Sequence, residues 1–243
     1  MNTSAPDTPR AVVIGGSSGI GAAIAQALQA SGRQVIATGA TEAEVQRAVS
    51  DPAMRQVQVR QLDVRNNDAI QSLFGELPRL DVLVNCAGVI RRGAELDPAV
   101  FAEVLDINLN GTMRCCTAAR PLLAQSRGCI INTASMLSFF GGGLVPAYSA
   151  SKGGVAQLTK SLAIAYAAEG IRVNAVAPGW IATPLTQALQ DDPERSGAIL
   201  GRTPLGRWGK PDDVADPVVF LASPAARFIT GVILPVDGGY LIQ

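Results

Sequence analysis

Residues 11–30 read AVVIGGSSGIGAAIAQALQA, an apolar run followed by a glycine cluster and then by an alanine-rich stretch. The apolar run is typical of a buried strand, and the alanine-rich stretch has the spacing of a helix. The glycines Gly15, Gly19 and Gly21 permit a tight turn between the two elements and let backbone N–H groups approach a pyrophosphate. Because the cluster lies between a strand and a helix, it indicates a dinucleotide-binding turn and not an ordinary one.

The same alternation continues along the rest of the chain. Short runs rich in valine and isoleucine predict strands at 11–15, 34–39, 56–62, 81–85, 129–133, 172–177 and 232–235. Helix-periodic stretches predict helices at 20–30, 42–49, 68–74, 100–123, 147–168 and 212–221. Strands that are apolar on both faces and separated by helices predict an α/β fold. We expect a single doubly wound parallel sheet (Rossmann fold) of about seven strands with helices on both faces.

The 243 residues show no linker and no change of composition after the start. We therefore expect one dinucleotide-binding catalytic domain at 11–243, preceded by a flexible leader at 1–10 that is too polar for a signal peptide. Residues 179–209 are richer in proline, glycine and arginine than their surroundings. Long segments after the carboxyl ends of parallel strands hold ligands, so this segment is the expected substrate loop region, with a plain surface excursion as the alternative.

Composition excludes several classes of function. The chain has no histidine, which excludes Ser-His-Asp catalysis, Cys-His catalysis and histidine-ligated metal sites. Its four cysteines lack CxxC spacing, so we expect reduced thiols and no metal site. Lys+Arg 20 balances Asp+Glu 20, which leaves no cationic excess for nucleic acid or acidic membranes, and no run of 18 apolar residues predicts a membrane span. Acid–base chemistry must come from Tyr, Lys, Asp, Glu or Cys.

Tyr148 is the one tyrosine of three with a lysine, Lys152, four residues later. Residues four apart share one face of a helix. A free phenol has a pKa of about 10, and a nearby cation is expected to lower it toward neutrality, where the phenol can act as acid and base. A chance pair on a solvated helix is the alternative. Ser135 lies thirteen residues before Tyr148, after a predicted strand, where its hydroxyl could bind a substrate oxygen.

These motifs together resemble the short-chain dehydrogenase/reductase family over nearly the whole chain. The resemblance is carried by the spacing Ser-x12-Tyr-x3-Lys and by G-x-x-x-G-x-G at 15–21, NCAG at 85–88, NLNG at 108–111, PGWIAT at 178–183 and VDGG at 236–239. Two positions depart from the family pattern. Ile14 replaces a threonine that stabilises the glycine loop, and Cys86 replaces the second asparagine of the fourth-strand motif.

The resemblance implies a catalytic tetrad of Asn108, Ser135, Tyr148 and Lys152. Tyr148 would move the hydroxyl proton, Ser135 would polarise the substrate oxygen, Lys152 would bind the nicotinamide ribose and lower the phenol pKa, and Asn108 would hold a water. The implied reaction is hydride transfer between nicotinamide and a secondary alcohol or ketone.

The resemblance also implies the cofactor contacts. They are Gly15, Ser17, Ser18, Gly19, Ile20, Gly21, Asp63, Val64, Asn85, Ala87, Gly88, Tyr148, Lys152, Pro178, Gly179, Ile181 and Thr183. The cofactor is NAD or NADP. Residues 38–41 after the second strand contain neither a carboxylate for the ribose of NAD nor an arginine for the 2′-phosphate of NADP, so the residues leave the choice open. Resemblance to a subgroup slightly favours NAD.

The substrate side is marked by Arg91 and Arg92, which follow the fourth predicted strand and could bind a carboxylate together with the Ser135 contact. A solvated arginine pair is the alternative. With 135–139, 145–148 and 206–209, these residues resemble the 2-dehydro-3-deoxy-D-gluconate 5-dehydrogenase and gluconate 5-dehydrogenase branch, which implies a keto-deoxy sugar acid or related polyol acid. A 3-oxoacyl-carrier-protein reductase and a non-catalytic cofactor-sensing protein stay open as alternatives.

Partners beyond the small-molecule substrate are expected from the same resemblance. It implies a homotetramer that buries apolar surface of the predicted helices at 100–123 and 147–168, although this surface could equally belong to the monomer core. We expect a cytoplasmic protein with no nucleic-acid or membrane partner.

Overall fold

The structure is a computed structural model that describes residues 8–243. Residues 1–7 of the predicted leader lie outside the described residues, and Arg10 already belongs to the first strand. The strands are β1 Arg10–Ile14, β2 Gln34–Gly39, β3 Gln58–Gln61, β4 Val82–Asn85, β5 Cys129–Thr133, β6 Arg172–Pro178 and β7 Ile233–Val236. All pairings are parallel, in the order β3-β2-β1-β4-β5-β6-β7. The predicted doubly wound α/β fold is confirmed.

The helices cover both faces of this sheet. They are α1 Gly19–Ala30, α2 Glu42–Ser50, α3 Asn67–Gly75, α4 Pro98–Leu105, α5 Gly111–Ser126, α6 Pro146–Tyr166, α7 Gln187–Gln190, α8 Pro193–Gly201 and α9 Pro211–Leu221. Successive side chains of a strand point to opposite faces, so Val13 packs with α1 and α9 while Val12 packs with α3, α5 and α6. In the described part of the chain, no helix combines the length and apolar character needed to cross a membrane.

From β1 the sheet grows on one side through β2 and β3, and then on the other side from β4 to β7. The direction in which strands are added therefore reverses between β1 and β4. In open α/β sheets this reversal opens a crevice beyond the carboxyl ends of the strands, where ligands bind. The loops that leave β1, β4, β5 and β6 all lie at this edge, and they contain most of the predicted site residues.

The helix predicted at 100–123 is present, but its winding is not regular throughout as the prediction implied. The segment forms α4 and α5, joined by a wide π-helical turn at Asp106–Asn110. The side chain of Asn108 makes two hydrogen bonds to the backbone of Val89 on the facing loop. These bonds stabilise the irregular winding. The apolar periodicity of the segment does not predict the π turn, because the Val89 backbone that binds Asn108 is distant in the sequence.

The predicted loop at 179–209 contains the short helices α7 and α8. Asp192 begins α8, because its carboxylate accepts hydrogen bonds from the N–H groups of Glu194 and Arg195 at 3.1 Å each. An aspartate followed by Pro193 at the first helical position is a strong helix start. The sequence therefore did contain the signal for this helix, in a segment read only as a loop.

Candidate active site

The glycine turn between β1 and α1 is shaped so that only glycine fits at its critical positions. Gly15 and Gly19 have φ values of +75° and +53°. A Cβ on Gly15 would lie 2.5 Å from the backbone nitrogen of Ala87, and one on Gly21 would lie 2.1 Å from the carbonyl oxygen of Gly15. The turn is thus packed against the loop after β4 and against the first turn of α1. Such a close backbone cradle at a helix N-terminus fits a dinucleotide pyrophosphate.

The hydroxyl that the Ile14 replacement removes from the glycine turn is supplied by a different strand. The N–H of Gly15 donates to Oγ1 of Thr38 at 3.1 Å, and Thr38 is fully buried at the end of β2. Ile14 is buried in the core instead. The pairing of Val13 with Ala37 in the parallel register places Thr38 beside Ile14. Aligning the two predicted strands would have been needed to identify Thr38 from the sequence.

A cavity of about 320 Å³ continues from the turn toward α2, and its lining includes Ser17, Ser18, Glu44 and Arg47. The Glu44 carboxylate accepts a hydrogen bond from the N–H of Ala40 at 2.6 Å, so it folds back onto the end of β2. Residues 38–41 contain no carboxylate, but the structure brings one to them from α2. Sequence reasoning missed both Glu44 and Arg47 because it examined only the residues next to the strand.

Other predicted cofactor residues are placed in different ways. Thr183 faces the glycine turn, since a Cβ on Gly19 would lie 3.6 Å from its Cγ2 atom. Gly179 packs against Asp237, where a Cβ would lie 2.6 Å from the aspartate Cβ. The Asp63 carboxylate is paired with Arg65 at 2.6 Å, and this guanidinium lowers the pKa of Asp63. The residues at the carboxyl ends of the strands therefore converge, whereas Asp63 is bound to its own neighbour.

Tyr148 and Lys152 lie on the same side of α6, as their spacing predicts. The Nζ atom of Lys152 is 5.6 Å from the centroid of the Tyr148 ring, and Lys152 is 4% exposed. This Nζ donates a hydrogen bond to the carbonyl oxygen of Thr133 at 2.6 Å. A Cβ on Gly88 would lie 3.6 Å from the same Nζ and 3.4 Å from Oδ1 of Asn108. The loop after β4 therefore meets both side chains.

Ser135 lies directly after β5 and is buried. Its Oγ accepts a hydrogen bond from the N–H of Leu137 at 3.1 Å, which fixes the side chain at the start of a short helical turn. Ser138 joins this turn to α6, because its hydroxyl donates to the carbonyl of Lys152 at 2.7 Å and accepts from the N–H of Ser135 at 3.2 Å. The strand end and the helix that carries Tyr148 are thus held in one register.

Asn108 lies at the centre of the π-helical turn and is fully buried. Its Oδ1 accepts from the N–H of Val89 at 2.8 Å, and its Nδ2 donates to the Val89 carbonyl at 3.0 Å and to the Ser151 hydroxyl at 3.1 Å. The four predicted tetrad residues therefore come from β5, α6 and the wide turn between α4 and α5. Their loops and helices meet at one end of the sheet.

The expected lowering of the Tyr148 pKa by Lys152 is wrong for this structure. Burial raises the pKa of Tyr148 to about 12; the Ser135 hydroxyl acts in the opposite direction, and the nearby Cys86 and Glu95 raise the pKa further. Burial also lowers the pKa of the Lys152 ammonium to about 8. Loss of water is the largest cause of both pKa shifts, and the ammonium donates to the Thr133 carbonyl and not to the phenol.

A family model described as enoyl-(acyl carrier protein) reductase matches residues 14–241, which is nearly the whole chain. The chain belongs to the short-chain dehydrogenase/reductase family. Like the named dehydrogenases of this family, it is an NAD(P)-dependent oxidoreductase acting on CH–OH groups.

Individual relatives agree with this assignment. The 2-dehydro-3-deoxy-D-gluconate 5-dehydrogenase of Pseudoalteromonas atlantica is 43% identical over 95% of both chains. The cis-4-hydroxycyclohexanecarboxylate dehydrogenase of Sinomonas cyclohexanicum is 44% identical, also over 95% of both chains. A crystal structure from Agrobacterium tumefaciens, described as a 2-deoxy-D-gluconate 3-dehydrogenase with bound NADP, is 40% identical over 97% of both chains, with a TM-score of 0.87.

In this short-chain dehydrogenase, the two predicted substrate arginines are both exposed. The Arg91 side chain makes a long ion pair with Glu103, at 3.4 Å between Nη2 and Oε1. The Arg91 N–H donates to Glu95, a buried residue that sequence reasoning missed. A carboxylate in a polar-looking loop gives no signal of burial, so Glu95 could not be distinguished from a surface acid.

The family's asparagine motif after β4 also shows how the Cys86 substitution is accommodated. Asn85 Nδ2 donates to Asn132 Oδ1 at 2.9 Å, and Asn132 Nδ2 donates to the Thr159 hydroxyl at 3.0 Å. These buried amides connect β4, β5 and α6. Cys86 lies close to Lys152, and burial raises the pKa of its thiol. The hydrogen-bond network therefore runs through Asn85 and leaves Cys86 outside it.

Proposed function

We propose that this enzyme transfers a hydride between NAD(P) and a secondary alcohol or ketone of a keto-deoxy sugar acid or related polyol acid. The observation that carries the reaction is the convergence of Ser135, Tyr148 and Lys152 beside a glycine turn that fits a dinucleotide. The substrate class is supported by the named activity of the Pseudoalteromonas relative, which matches over 95% of both chains.

Each residue of the site has a role in the proposed mechanism. The nicotinamide, when bound, gives or takes the hydride at the substrate carbon. Tyr148 donates its phenolic proton to the substrate oxygen during reduction and accepts the hydroxyl proton during oxidation. Ser135 donates a hydrogen bond to the same oxygen and holds it in place. Lys152 and Asn108 pass protons between the phenol and the solvent.

The protonation states favour one direction of proton transfer at neutral pH. With a pKa of about 12, the Tyr148 phenol carries its proton and is ready to act as an acid. Oxidation needs the phenolate instead. We therefore expect the rate of alcohol oxidation to rise as the pH is raised above neutrality.

The proposed substrate carboxylate is bound by Arg91 and Arg92. The loop that carries them follows β4, at the edge of the sheet where Lys152 and Asn108 lie. The named substrates of the Pseudoalteromonas and Sinomonas relatives are both carboxylates, so a cationic loop suits either class. A panel of sugar acids, a hydroxycyclohexanecarboxylate and 3-oxoacyl thioesters, followed by the absorbance of reduced nicotinamide, separates these possibilities. Turnover of the thioesters alone would support a 3-oxoacyl-carrier-protein reductase.

The deciding variant is Tyr148→Phe, with Tyr166→Phe as its matched control. Tyr166 lies on the same helix but at its far end, over the Arg120 guanidinium. We expect Tyr148→Phe to lose at least about 100-fold in kcat while it binds the reduced cofactor normally, since an acid–base group contributes about that much or more. Residual activity above a tenth of the wild type would reject Tyr148 as the acid–base group. A cofactor-sensing protein without catalysis would show no turnover in the wild type.

We propose a slight preference for NAD, because the Glu44 carboxylate stands at the end of β2 where the adenosine ribose is expected. A carboxylate binds ribose hydroxyls and repels a 2′-phosphate. Arg47 lines the same cavity, and its positive charge would favour the 2′-phosphate of NADP. NADP is the cofactor bound in the Agrobacterium structure. Glu44→Gln should raise the affinity for NADPH relative to that for NADH. Arg47→Ala should lower the affinity for NADPH relative to that for NADH. Unchanged affinity ratios in both variants would contradict this assignment of the ribose site.

We also propose a homotetramer located in the cytoplasm. Exposed apolar side chains lie on two separate faces: Ile164 on α6 and Met113 on α5, and, on the other side of the sheet, Phe220 on α9 with Phe228 nearby. A tetramer with dihedral symmetry needs two distinct self-complementary faces. Ile164→Asp should reduce the mass of the assembly measured by light scattering. A wild-type protein with the mass of a monomer would refute the tetramer. Immunoblots of cell fractions test the location.

A further inference from the structure

Glu95 is the single carboxylate buried within the described residues, at 1% exposure. A buried carboxylate is costly unless hydrogen bonds replace its water. Both oxygens of Glu95 have such bonds. Oε1 accepts from the N–H of Arg91 at 2.8 Å, and Oε2 accepts from the N–H of Tyr148 at 2.8 Å. One side chain therefore joins the proposed substrate loop to the residue that carries the proposed acid–base phenol.

The bond to Tyr148 meets a need of the helix. The first N–H groups of a helix have no partner within it, and a side chain at the N-cap normally accepts from one of them. The N-cap of α6 is Val145, which has no acceptor in its side chain, and Pro146 follows it. The carboxylate of Glu95 takes the place of the missing cap. Its negative charge also suits the positive end of the helix dipole.

The bond from Tyr148 to Glu95 is reinforced by a second contact between the same two segments. The N–H of Gly93 donates to the carbonyl of Leu144 at 2.8 Å. Two hydrogen bonds thus fix residues 91–95 against residues 144–148, and the bond from Arg91 to Glu95 holds the first segment in its turn. The side chains of Arg91 and Arg92 leave from the first of these segments, and the phenol of Tyr148 leaves from the second.

We propose that Glu95 is a positioning residue that sets the spacing between the arginines for the substrate carboxylate and the hydroxyl of Tyr148. The proposal rests on the proposed function, because it takes Arg91 and Arg92 as the carboxylate site. Glu95 touches neither substrate nor cofactor in this role. It acts through the backbone of the two segments, so its loss misaligns the acid with the carbon to be reduced.

The charge of Glu95 also affects the pKa of Tyr148, which a purely structural role of its hydrogen bonds would not do. Burial is the largest cause of the raised pKa of Tyr148; Ser135 lowers that pKa, and Cys86 and the charge of Glu95 raise it further. Lys152 is the cation beside the phenol. Removing the charge of Glu95 makes the phenolate easier to form. The pH at which alcohol oxidation rises therefore moves downward in Glu95→Gln.

Two variants and one control test the proposal. Glu95→Gln keeps the size but turns one acceptor into a donor that faces an N–H group. Glu95→Asp keeps the charge but is one methylene too short to reach both N–H groups. The control is Asp97→Asn, because Asp97 is an exposed carboxylate two residues after Glu95 that accepts hydrogen bonds from the N–H groups of Ala99 and Val100 at the start of α4. Asparagine caps helices as well as aspartate does.

Kinetics with a sugar acid give the first readout. For Glu95→Gln and Glu95→Asp we expect KM to rise at least fivefold while the dissociation constant for the reduced cofactor stays within twofold of the wild type. Only Glu95→Gln should shift the pH profile of oxidation. A wild-type KM and pH profile in Glu95→Gln would overturn the proposal. Equal losses of substrate and cofactor binding would also overturn it, because they would indicate a general folding defect.

Hydrogen exchange provides a readout that needs no substrate. In Glu95→Gln we expect the amides of both segments, at 91–95 and 144–148, to exchange at least tenfold faster, while Asp97→Asn matches the wild type in both. Unchanged exchange in either segment would refute the connection through Glu95. If no sugar acid is turned over by the wild type, the proposed substrate fails, but the exchange result still decides whether Glu95 joins the two segments.

Discussion

Replacing the buried ammonium of Lys152 by an apolar side chain should not destabilise the protein at neutral pH. Burial lowers the pKa of Lys152 from 10.5 to about 8. Because the folded state binds the proton less tightly than the unfolded state, the charged lysine makes folding less favourable below pH 10.5, and stability rises with pH between 8 and 10.5. In Lys152→Met the cost of the buried charge disappears.

The magnitude follows from the two pKa values. With 10.5 in the unfolded chain and about 8 in the folded one, the lysine lowers the free energy of unfolding by about 3 kcal/mol at pH 7 and about 2 kcal/mol at pH 9. Losing the bond to the Thr133 carbonyl costs about 1.5–3 kcal/mol. Lys152→Met should therefore be as stable as the wild type at pH 7 or up to about 2 kcal/mol more stable, which corresponds to about 2–4 °C in Tm per kcal/mol.

The assay is urea unfolding of both proteins at pH 7 and pH 9, with Lys160→Met as the control. Lys160 is exposed on the same helix. The difference between Lys152→Met and the wild type should shrink by about 1 kcal/mol from pH 7 to pH 9, and the control should show no such change. A Lys152→Met variant more than 1 kcal/mol less stable than the wild type at pH 7 would refute this explanation. A difference in the free energy of unfolding that is the same at pH 7 and pH 9 would also refute it. Catalysis should be lost in either case, because Lys152 belongs to the proposed proton path.

Three further outcomes are expected. Gly21→Ala puts a Cβ 2.1 Å from the Gly15 carbonyl, so affinity for either reduced cofactor should fall at least tenfold in a fluorescence titration, whereas Gly75→Ala, with open space around it, should bind normally. Thr38→Val removes the acceptor for the turn and should weaken cofactor binding by about 1 kcal/mol, about fivefold; Thr38→Ser should restore it, and failure to do so would contradict the hydroxyl's role. Asn108→Ala loses three hydrogen bonds, so both kcat and Tm should fall, and a variant with wild-type kcat would remove Asn108 from the mechanism.

The fold could be predicted almost completely from the sequence, because the buried strands are mostly apolar and helix-periodic stretches separate them. The chemistry-bearing residues of β5 and α6 were also predictable, since Tyr148 and Lys152 depend only on helical spacing. Their pKa values were not, because burial and the acceptor at Thr133 are properties of the folded chain.

Residues that act through distant contacts were missed for the same reason. Thr38 meets the glycine turn from a neighbouring strand, Glu44 returns to β2 from the following helix, and Glu95 reaches α6 across more than fifty positions. Each is a common polar residue in an ordinary local setting. Only the pairing of strands and helices in three dimensions gives these side chains their partners.

The widened winding at Asp106–Asn110 has a consequence for how such a chain can change length. A π turn accommodates one residue more than regular helix over the same rise. Because the extra residue is confined to this one turn, deleting a single residue there would restore regular winding while α4 and α5 keep their present register. The amide that binds the Val89 backbone would then no longer reach it. A single-residue gap in this segment would therefore remove the contact to the loop after β4 and leave the packing of both helices in place.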